Sequence, residues 1–402
     1  MDFEFSAGLY YNYTSFKERS LTVKRINHSS ISPLINNLNK NIFNVSTVGH
    51  SYTGKEIRLI TAGRGEKKIF MWSQMHGDES TATMALFDIF NFLSVKDGYN
   101  FIRNKFFENA TLYFLPMVNP DGAEVWKRGN YLDIDINRDA FRTQTPEGKA
   151  LKETFNSIKA DFGFNLHDQN PRYSAGNSYR NAAISFLAPP YNKNRYINKT
   201  RKNAIGLISG LTSILNKFIP GHIGKYPEEF EHRAFGDTFQ GLGTSTILIE
   251  SGGWKDDAEK QFLRKLNFIL LLSAINSIID SDYKNENPDL YDKLPLNEEF
   301  LYDIVLRNLK YTGENKKCHL DIALNRNEDP SQTSGKTKFI ASVENIGDLS
   351  IFYGLDEINL EGYEIDSPDG TIGLGISHDL LIKKNGMIKY TVKNGVLTNP
   401  LL

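Results

Sequence analysis

The chain has 402 residues, 40% of them hydrophobic and 24% charged, with a formal charge of −1. That is an ordinary globular composition, long for one domain and comfortable for two, with no charge excess to draw nucleic acid or an anionic membrane. Cys318 is the only cysteine, which excludes an intrachain disulfide and agrees with a reducing compartment without requiring one.

The N-terminus, MDFEFSAGLYYNYTSF, has no basic stretch followed by an apolar run, so no signal peptide is expected. A cytoplasmic location is favoured; a secreted or periplasmic one stays open, because a chain stripped of its leader reads the same. The longest apolar run, FILLLSAINSII, falls short of the ~20 residues a membrane span needs, so no span is expected.

Residues 44–61 read as two strands joined by a Thr53-Gly54 turn. KKIFMWSQ (67–74) is a short continuous apolar run, the pattern of a strand buried on both faces. After it Ala82, Leu86, Ile89 and Leu93 step by four, three and four, an amphipathic helix. ATLYFLPMV (110–118), DFGFNLHD (161–168), AAISFLAPP (182–190) and TSTILIES (244–251) read as further strands, while 147–160, 195–217 and 256–282 carry helical periodicity. Strands alternating with helices predict a largely parallel sheet covered by helices over residues 1–282.

Residues 283–296 are polar and contain proline, as a linker would. In 297–402, HLDIAL and MIKYTV alternate at period two, and Asn385-Gly386, Asn394-Gly395 and Pro368-Asp369-Gly370 supply turn chemistry. This part reads as a small all-β accessory domain. It carries no catalytic signature: Cys318 and His319 are adjacent rather than at ligand spacing. His50, His222 and His378 read as surface or loop histidines.

Three polar clusters stand at predicted strand ends. His76 and Glu79 follow KKIFMWSQ, His167 ends FGFNLH, and Glu250 ends TSTILIE. Ligands of open α/β sheets bind outside the carboxyl ends of the strands, so these residues converge. Two imidazoles and a carboxylate form the ligand set of a catalytic zinc site. Of the eight histidines only His76 has a glutamate three residues on, a spacing that also suits a helix start, where the macrodipole favours acids. Glu250 reads as a paired structural charge or as a general base. Zinc lowers the pKa of bound water from 15.7 to about 7, and a neighbouring carboxylate can take the proton and pass it to a leaving amine. A fourth cluster, NPDGAEVWKRGNYLDIDINRDAF (119–141), is either a long solvated loop or a source of arginine forks, from Arg128 and Asn137-Arg138, matched to a carboxylate. Zinc, a glutamate and two arginines together describe removal of a C-terminal residue from a peptide.

The ordered pieces GHSYTGKEI, HGDE, NPDG, RGNYLDIDINRD, NLHD and ILIESGG span about residues 45–253. In them the chain resembles the zinc carboxypeptidases of the carboxypeptidase A/B-like family. The resemblance implies a mixed, largely parallel twisted sheet flanked by helices, and one zinc ion per chain held by His76, Glu79 and His167. It casts Glu250 as general base and acid, and Arg128 as carbonyl polariser and oxyanion stabiliser. Asn137 and Arg138 would bind the substrate's terminal carboxylate, and Asp135 would orient His76. The family's substrate-capping tyrosine has no clean match: Tyr226 is the nearest candidate, with Phe230, His232 and Arg233 as others for the same space. Asp237 would favour a basic C-terminal side chain, or cap or pair locally. The expected partner is a peptide or amino-acid conjugate with a free carboxylate. Competing readings are a zinc amidohydrolase of peptidoglycan stem peptides or acyl-amino acids, and a silent peptide-binding module. The presence of His76, Glu79, His167 and Glu250 weighs against the silent module.

Overall fold

Ile69, Phe70, Met71 and Trp72 are all fully buried, as the continuous apolar run requires. Ile69 and Met71 enter one core and Phe70 and Trp72 another on the opposite face, the alternation of a strand covered on both sides. The computed structural model describes residues 1–313, 316–366, 372–375, 379–393 and 396–399. The chain divides into two units, Met1–Pro171 with Ala182–Asn297, and Arg172–Asn181 with Glu298–Leu402.

In the first unit α1 (Phe3–Asn12), α2 (His28–Asn36), β1 (Phe43–His50), β2 (Glu56–Gly63), β3 (Lys67–Ser73) and α3 (Thr81–Ser94) follow in order. Next come α4 (Asn100–Asn109), β4 (Ala110–Leu115), α5 (Pro120–Val125), α6 (Pro146–Ile158) and β5 (Phe162–Asp168). After β6 (Ser174–Ala175), which belongs to the second unit, the chain forms β7 (Ile184–Leu187), α7 (Lys199–Leu215) and β8 (Ile223–Lys225). It then forms α8 (Phe235–Gly241), β9 (Ser245–Ser251), α9 (Gln261–Asp280) and α10 (Asp289–Asp292). The sheet order is β1-β2-β4-β3-β5-β9-β7-β8. Its centre, β4-β3-β5-β9, is parallel, and β1, β2 and the β7–β8 pair join antiparallel. The expected mixed, largely parallel sheet flanked by helices is borne out.

Helix α9 corrects one reading. It is 20 residues long and apolar enough, by length and composition, to cross a membrane, longer than the apolar run within it. It owes its apolarity to the protein core instead: 83% of its most apolar 18-residue window is buried there. Arg264 on α9 forms a fully buried ion pair with Asp88 of α3 (2.5 Å). The Tyr13 hydroxyl donates to the other Asp88 oxygen (2.8 Å), and Arg264 also donates to the Glu18 and Leu21 carbonyls. These bonds fasten the N-terminal segment, whose helices α1 and α2 the periodicity argument passed over. The segment read as a linker also folds into this unit. Tyr283, Tyr291 and Leu294 are buried in its core, and the Tyr291 hydroxyl donates to Glu228 (2.9 Å). Three large apolar side chains give this polar stretch something to bury.

The second unit holds β10 (Asn297–Glu298) in part, then β11 (Leu301–Gly313), β12 (Lys316–Glu328), β13 (Phe339–Gly347), β14 (Tyr353–Asn359) and β15 (Glu364–Asp366). β16 (Leu380–Lys384), β17 (Met387–Lys393) and β18 (Val396–Thr398) complete it. Ile304, Leu306, Ile322, Leu324, Val343, Leu380, Ile382 and Val392 form its core. Asn385 and Gly386 both take positive φ (53° and 77°) between β16 and β17, the tight hairpin turn their sequence demands. Pro368-Asp369-Gly370, His378 and Asn394-Gly395 lie outside the described residues. Cys318 is exposed on β12, where His319 is exposed as well.

Candidate metal centre

The centre is built at the carboxyl edge of the parallel strands. β3 ends at Ser73, and Gln74 turns the chain with φ of 49°, a conformation unfavourable for a side-chain-bearing residue. Its side chain bonds the Gly77 carbonyl (2.9 Å). A Cβ on Gly77 would sit 2.0 Å from the Gly122 carbonyl carbon, so the glycines of HGDE and NPDG let the two segments touch. His76 and Glu79 are thereby held on a turn closed by Glu79 N donating to His76 O (3.2 Å). His167 is the penultimate residue of β5 and pairs in register with Glu250 of β9.

The three expected ligands meet. His76 Nδ1 lies 2.7 Å from Glu79 Oε1, His167 Nδ1 lies 2.7 Å from Glu79 Oε2, and the two Nδ1 atoms are 3.2 Å apart. All three ligand atoms fall within 4.8 Å of one another, and all three residues are buried. His76 Nε2 faces Asp135 Oδ1 at 3.0 Å, which fixes the ring and aims Nδ1 inward. Two imidazole nitrogens and a carboxylate converging on one point are a good donor set for a divalent cation. The residues present fit zinc.

The buried acids dominate the electrostatics of the cluster. Burial opposes charge on His76, yet Glu79 and Asp135 outweigh it and lift its pKa to about 9. Burial holds His167 below its ordinary value. Glu79 is buried too, but the two imidazoles keep its carboxyl well below the usual range. Glu250, 7% exposed, is pushed well above the usual carboxylate range by burial and by the nearby Glu79 charge.

Arg128 reaches the same point. Its Nη1 lies 3.2 Å from His76 Nδ1 and 3.3 Å from Glu79 Oε1, while Nε and Nη2 donate to Asp135 Oδ2 (3.2 and 3.0 Å). Asn119 holds this segment by donating to the Arg128 and Gly129 carbonyls. Asn137 sits on a 3-10 turn capped by Asp135; its Nδ2 is 3.5 Å from His167 Nε2 and its Oδ1 accepts from Phe235 N (3.0 Å). Arg138, half-exposed, faces Glu231 at 3.7 Å, and Arg233 clamps the same carboxylate at 2.6 Å.

Tyr226 follows the edge strand β8, and its amide donates to Phe186 O (2.9 Å). Lys225 pairs with Phe186, which pairs with Ile249. At Tyr226 the chain therefore heads toward the start of β9 and away from its Glu250 tip. The neighbours of Asn137 and Arg138 come from residues 231–235 instead: Ala140 N donates to Arg233 O (2.9 Å), and the His232 ring lies 5.7 Å from that of Phe141. Asp237 is buried and accepts from Glu231 N (3.1 Å), so it caps this segment locally. Burial raises its pKa to about 7.

Sequence reasoning missed the supports. The Asp121 carboxylate of NPDG accepts from Ser51 Oγ, Thr53 N, Thr53 Oγ1 and Lys55 Nζ, tying GHSYTGKEI to the Arg128 segment. Glu147 accepts from Tyr52 N (2.9 Å) and Asn130 Nδ2 (3.2 Å). Asp168 N donates to Glu79 Oε2 (3.1 Å). A Cβ on Gly252 would meet Ala182 O at 2.0 Å and one on Gly253 would meet Pro171 O at 2.1 Å, the reason glycines follow Glu250. The available signal was the density of Ser, Thr, Asn and Asp in loops, which does not distinguish burial from solvation.

Residues 31–207 match the family model described as zinc carboxypeptidase. Over 103 residues the chain is 27% identical to carboxypeptidase SOL1 of Arabidopsis thaliana, covering 23% of this chain and 21% of that one. The match thus spans about a fifth of the curated relative's length. Among solved structures, a metallo-carboxypeptidase from Burkholderia cenocepacia superposes with a TM-score of 0.51 at 16% identity, over 63% of this chain and 68% of that one. Bovine thrombin-activatable fibrinolysis inhibitor, in complex with tick carboxypeptidase inhibitor, gives 0.52 at 11% identity, over 64% and 99%. Carboxypeptidase A from Helicoverpa armigera gives 0.51 at 13%, over 70% and 80%. The structural likenesses are likenesses of fold. With the family match they bear out the resemblance read from the six sequence pieces.

Proposed function

We propose that this chain, similar to the zinc carboxypeptidases in fold and over residues 31–207, is a zinc-dependent metallocarboxypeptidase that hydrolyses the C-terminal peptide bond of peptides. The observation that carries this reading is the meeting of His76 Nδ1, His167 Nδ1 and the Glu79 carboxylate within 4.8 Å, with Glu250 on the strand beside His167.

Zinc, when bound by His76, Glu79 and His167, supplies a Lewis acid for the scissile carbonyl and for water. The other roles fall to the chain. Glu250, on the strand beside His167, is the proton carrier: its carboxylate takes a proton from the attacking water and delivers it to the leaving amine nitrogen. Arg128, anchored on Asp135, offers Nη1 beside the ligands, where it donates to the oxygen that gains charge. Asp135 keeps His76 turned inward. Asn137 Nδ2 and the Arg138 guanidinium receive the terminal carboxylate, Arg138 exchanging its loose contact with Glu231 for the substrate.

The test is release of C-terminal amino acids from a mixed peptide library, run beside peptidoglycan fragments, with Glu250→Gln as control. Turnover falls by about 10²–10⁴-fold in the variant, the usual worth of a positioned proton carrier, while its zinc content stays at one per chain. Equal turnover in the two proteins overturns the reading. Release from peptidoglycan fragments alone replaces peptides as the substrate class.

A further inference from the structure

The turn between Arg128 and Asp135 displays apolar side chains where a solvated loop would carry polar ones. Tyr131, Leu132 and Ile134 are 62%, 50% and 40% exposed, and Tyr52 beside them 53%. The rings of Tyr52 and Tyr131 stack at 5.3 Å with planes 10° apart. Isolated exposed apolar residues are common on proteins, but a contiguous set is a mark of a binding surface.

The turn is also rigid. Asn130 is buried; its Oδ1 accepts from Leu132 N (3.0 Å) and Ile134 N (3.1 Å). Its amide donates to Ile134 O (3.0 Å), and its carbonyl accepts from Asp133 N (2.9 Å). Its Nδ2 and the Tyr52 amide bond opposite oxygens of one carboxylate, Glu147. A single buried acid therefore sets both halves of the aromatic stack. A surface ordered before binding loses little entropy when it binds.

Its position fixes the occupant. The turn is continuous with the centre at both ends, since Arg128 contacts His76 and Glu79 and Asp135 contacts His76. In the function proposed above, Arg138 takes the terminal carboxylate and Arg128 the scissile carbonyl. With the scissile carbonyl at Arg128, the acyl part of the peptide lies next to the residue from which this turn begins. We infer that Tyr52, Tyr131, Leu132 and Ile134 form a subsite for apolar side chains on the acyl side of the scissile bond, so that the preferred substrates are extended peptides with apolar residues upstream of the C-terminal one. This rests on the proposed carboxypeptidase reading and adds the substrate class to it.

The experiment measures binding and turnover separately on the full zinc-loaded chain. Peptides ending in the same residue carry Leu-Phe or Ser-Ser at the two positions before the scissile bond, and a blocked dipeptide is the short reference. Dissociation constants are taken on Glu250→Gln, so that binding is read without hydrolysis, and kcat/KM on the protein with Glu250 intact. The Leu-Phe peptide binds and turns over better than the Ser-Ser peptide by about tenfold or more, as burial of two apolar side chains implies. In Tyr131→Ser/Leu132→Ser the ratio collapses toward one with zinc content unchanged. A ratio near one in the starting protein, or a ratio that survives the double substitution, overturns the subsite. Binding discrimination with no release of C-terminal residues from any peptide keeps the subsite and overturns the carboxypeptidase reading instead.

Discussion

Two clusters of buried charge in the first unit differ in how they are satisfied. Around Arg264, the donors are met by Asp88 and by the Glu18 and Leu21 carbonyls, and Tyr13 completes Asp88. Positive and negative groups balance, and each points at a protein partner. Around Glu79, two imidazole Nδ1 atoms and a carboxylate converge on one point, and Asp135 and Arg128 hold them there. The first cluster is closed by one ion pair and backbone carbonyls. The second gathers the donor set that a divalent cation takes. Burial of charge by itself therefore does not mark a site; convergence of two imidazole nitrogens and a carboxylate on one point does.

This contrast breaks most visibly at the closed cluster. Asp88→Ala leaves Arg264 buried without its carboxylate, and stability should fall by about 3–5 kcal/mol, read as a lower denaturant midpoint, with zinc per folded chain unchanged. A loss of zinc at the same time would show that the two clusters are not separate in purpose.

Asp135→Ala acts on the open cluster without removing a ligand. Freed from Asp135, the His76 ring no longer holds Nδ1 inward, and zinc affinity measured by competition with a chelator should weaken about 10–100-fold. Unchanged affinity would assign Asp135 to Arg128 alone.

The smallest effect is expected at Asp237, a buried carboxyl outside both clusters. Its pKa in the folded chain is raised to about 7, above the ~3.9 of an unperturbed aspartate. The folded state therefore holds the proton more tightly. The stability linked to that proton is complete below about pH 4 and is lost as pH rises through about 7. Asp237→Asn removes the titration, so the fall in melting temperature between pH 5 and pH 8 should be shallower in the variant. Parallel profiles would show that Asp237 does not titrate in that range.

Legibility in the sequence followed the same division. Strands β3, β5 and β9 could be read because burial on both faces forces continuous apolar runs, and the candidate ligands could be read because they lie at or just beyond the ends of those runs. Asp88 and Arg264 lie 176 positions apart in sequence, beyond any local pattern. Residues 172–181 leave the first unit for the second, and their polar composition carries no mark of it. Asp121 and Glu147 look like solvated loop acids until the fold turns Ser51, Thr53, Tyr52 and Asn130 toward them. Tyr226 is the nearest candidate tyrosine in the sequence, whereas the neighbours of Arg138 are set by the path of residues 231–235.

The central claim is most directly tested by elemental analysis of zinc after dialysis of the intact chain and of His167→Ala. One zinc per chain in the first and almost none in the second is the predicted result. Equal zinc in both would mean that the imidazole of β5 does not share its ion with His76 and Glu79, and the centre described would not exist.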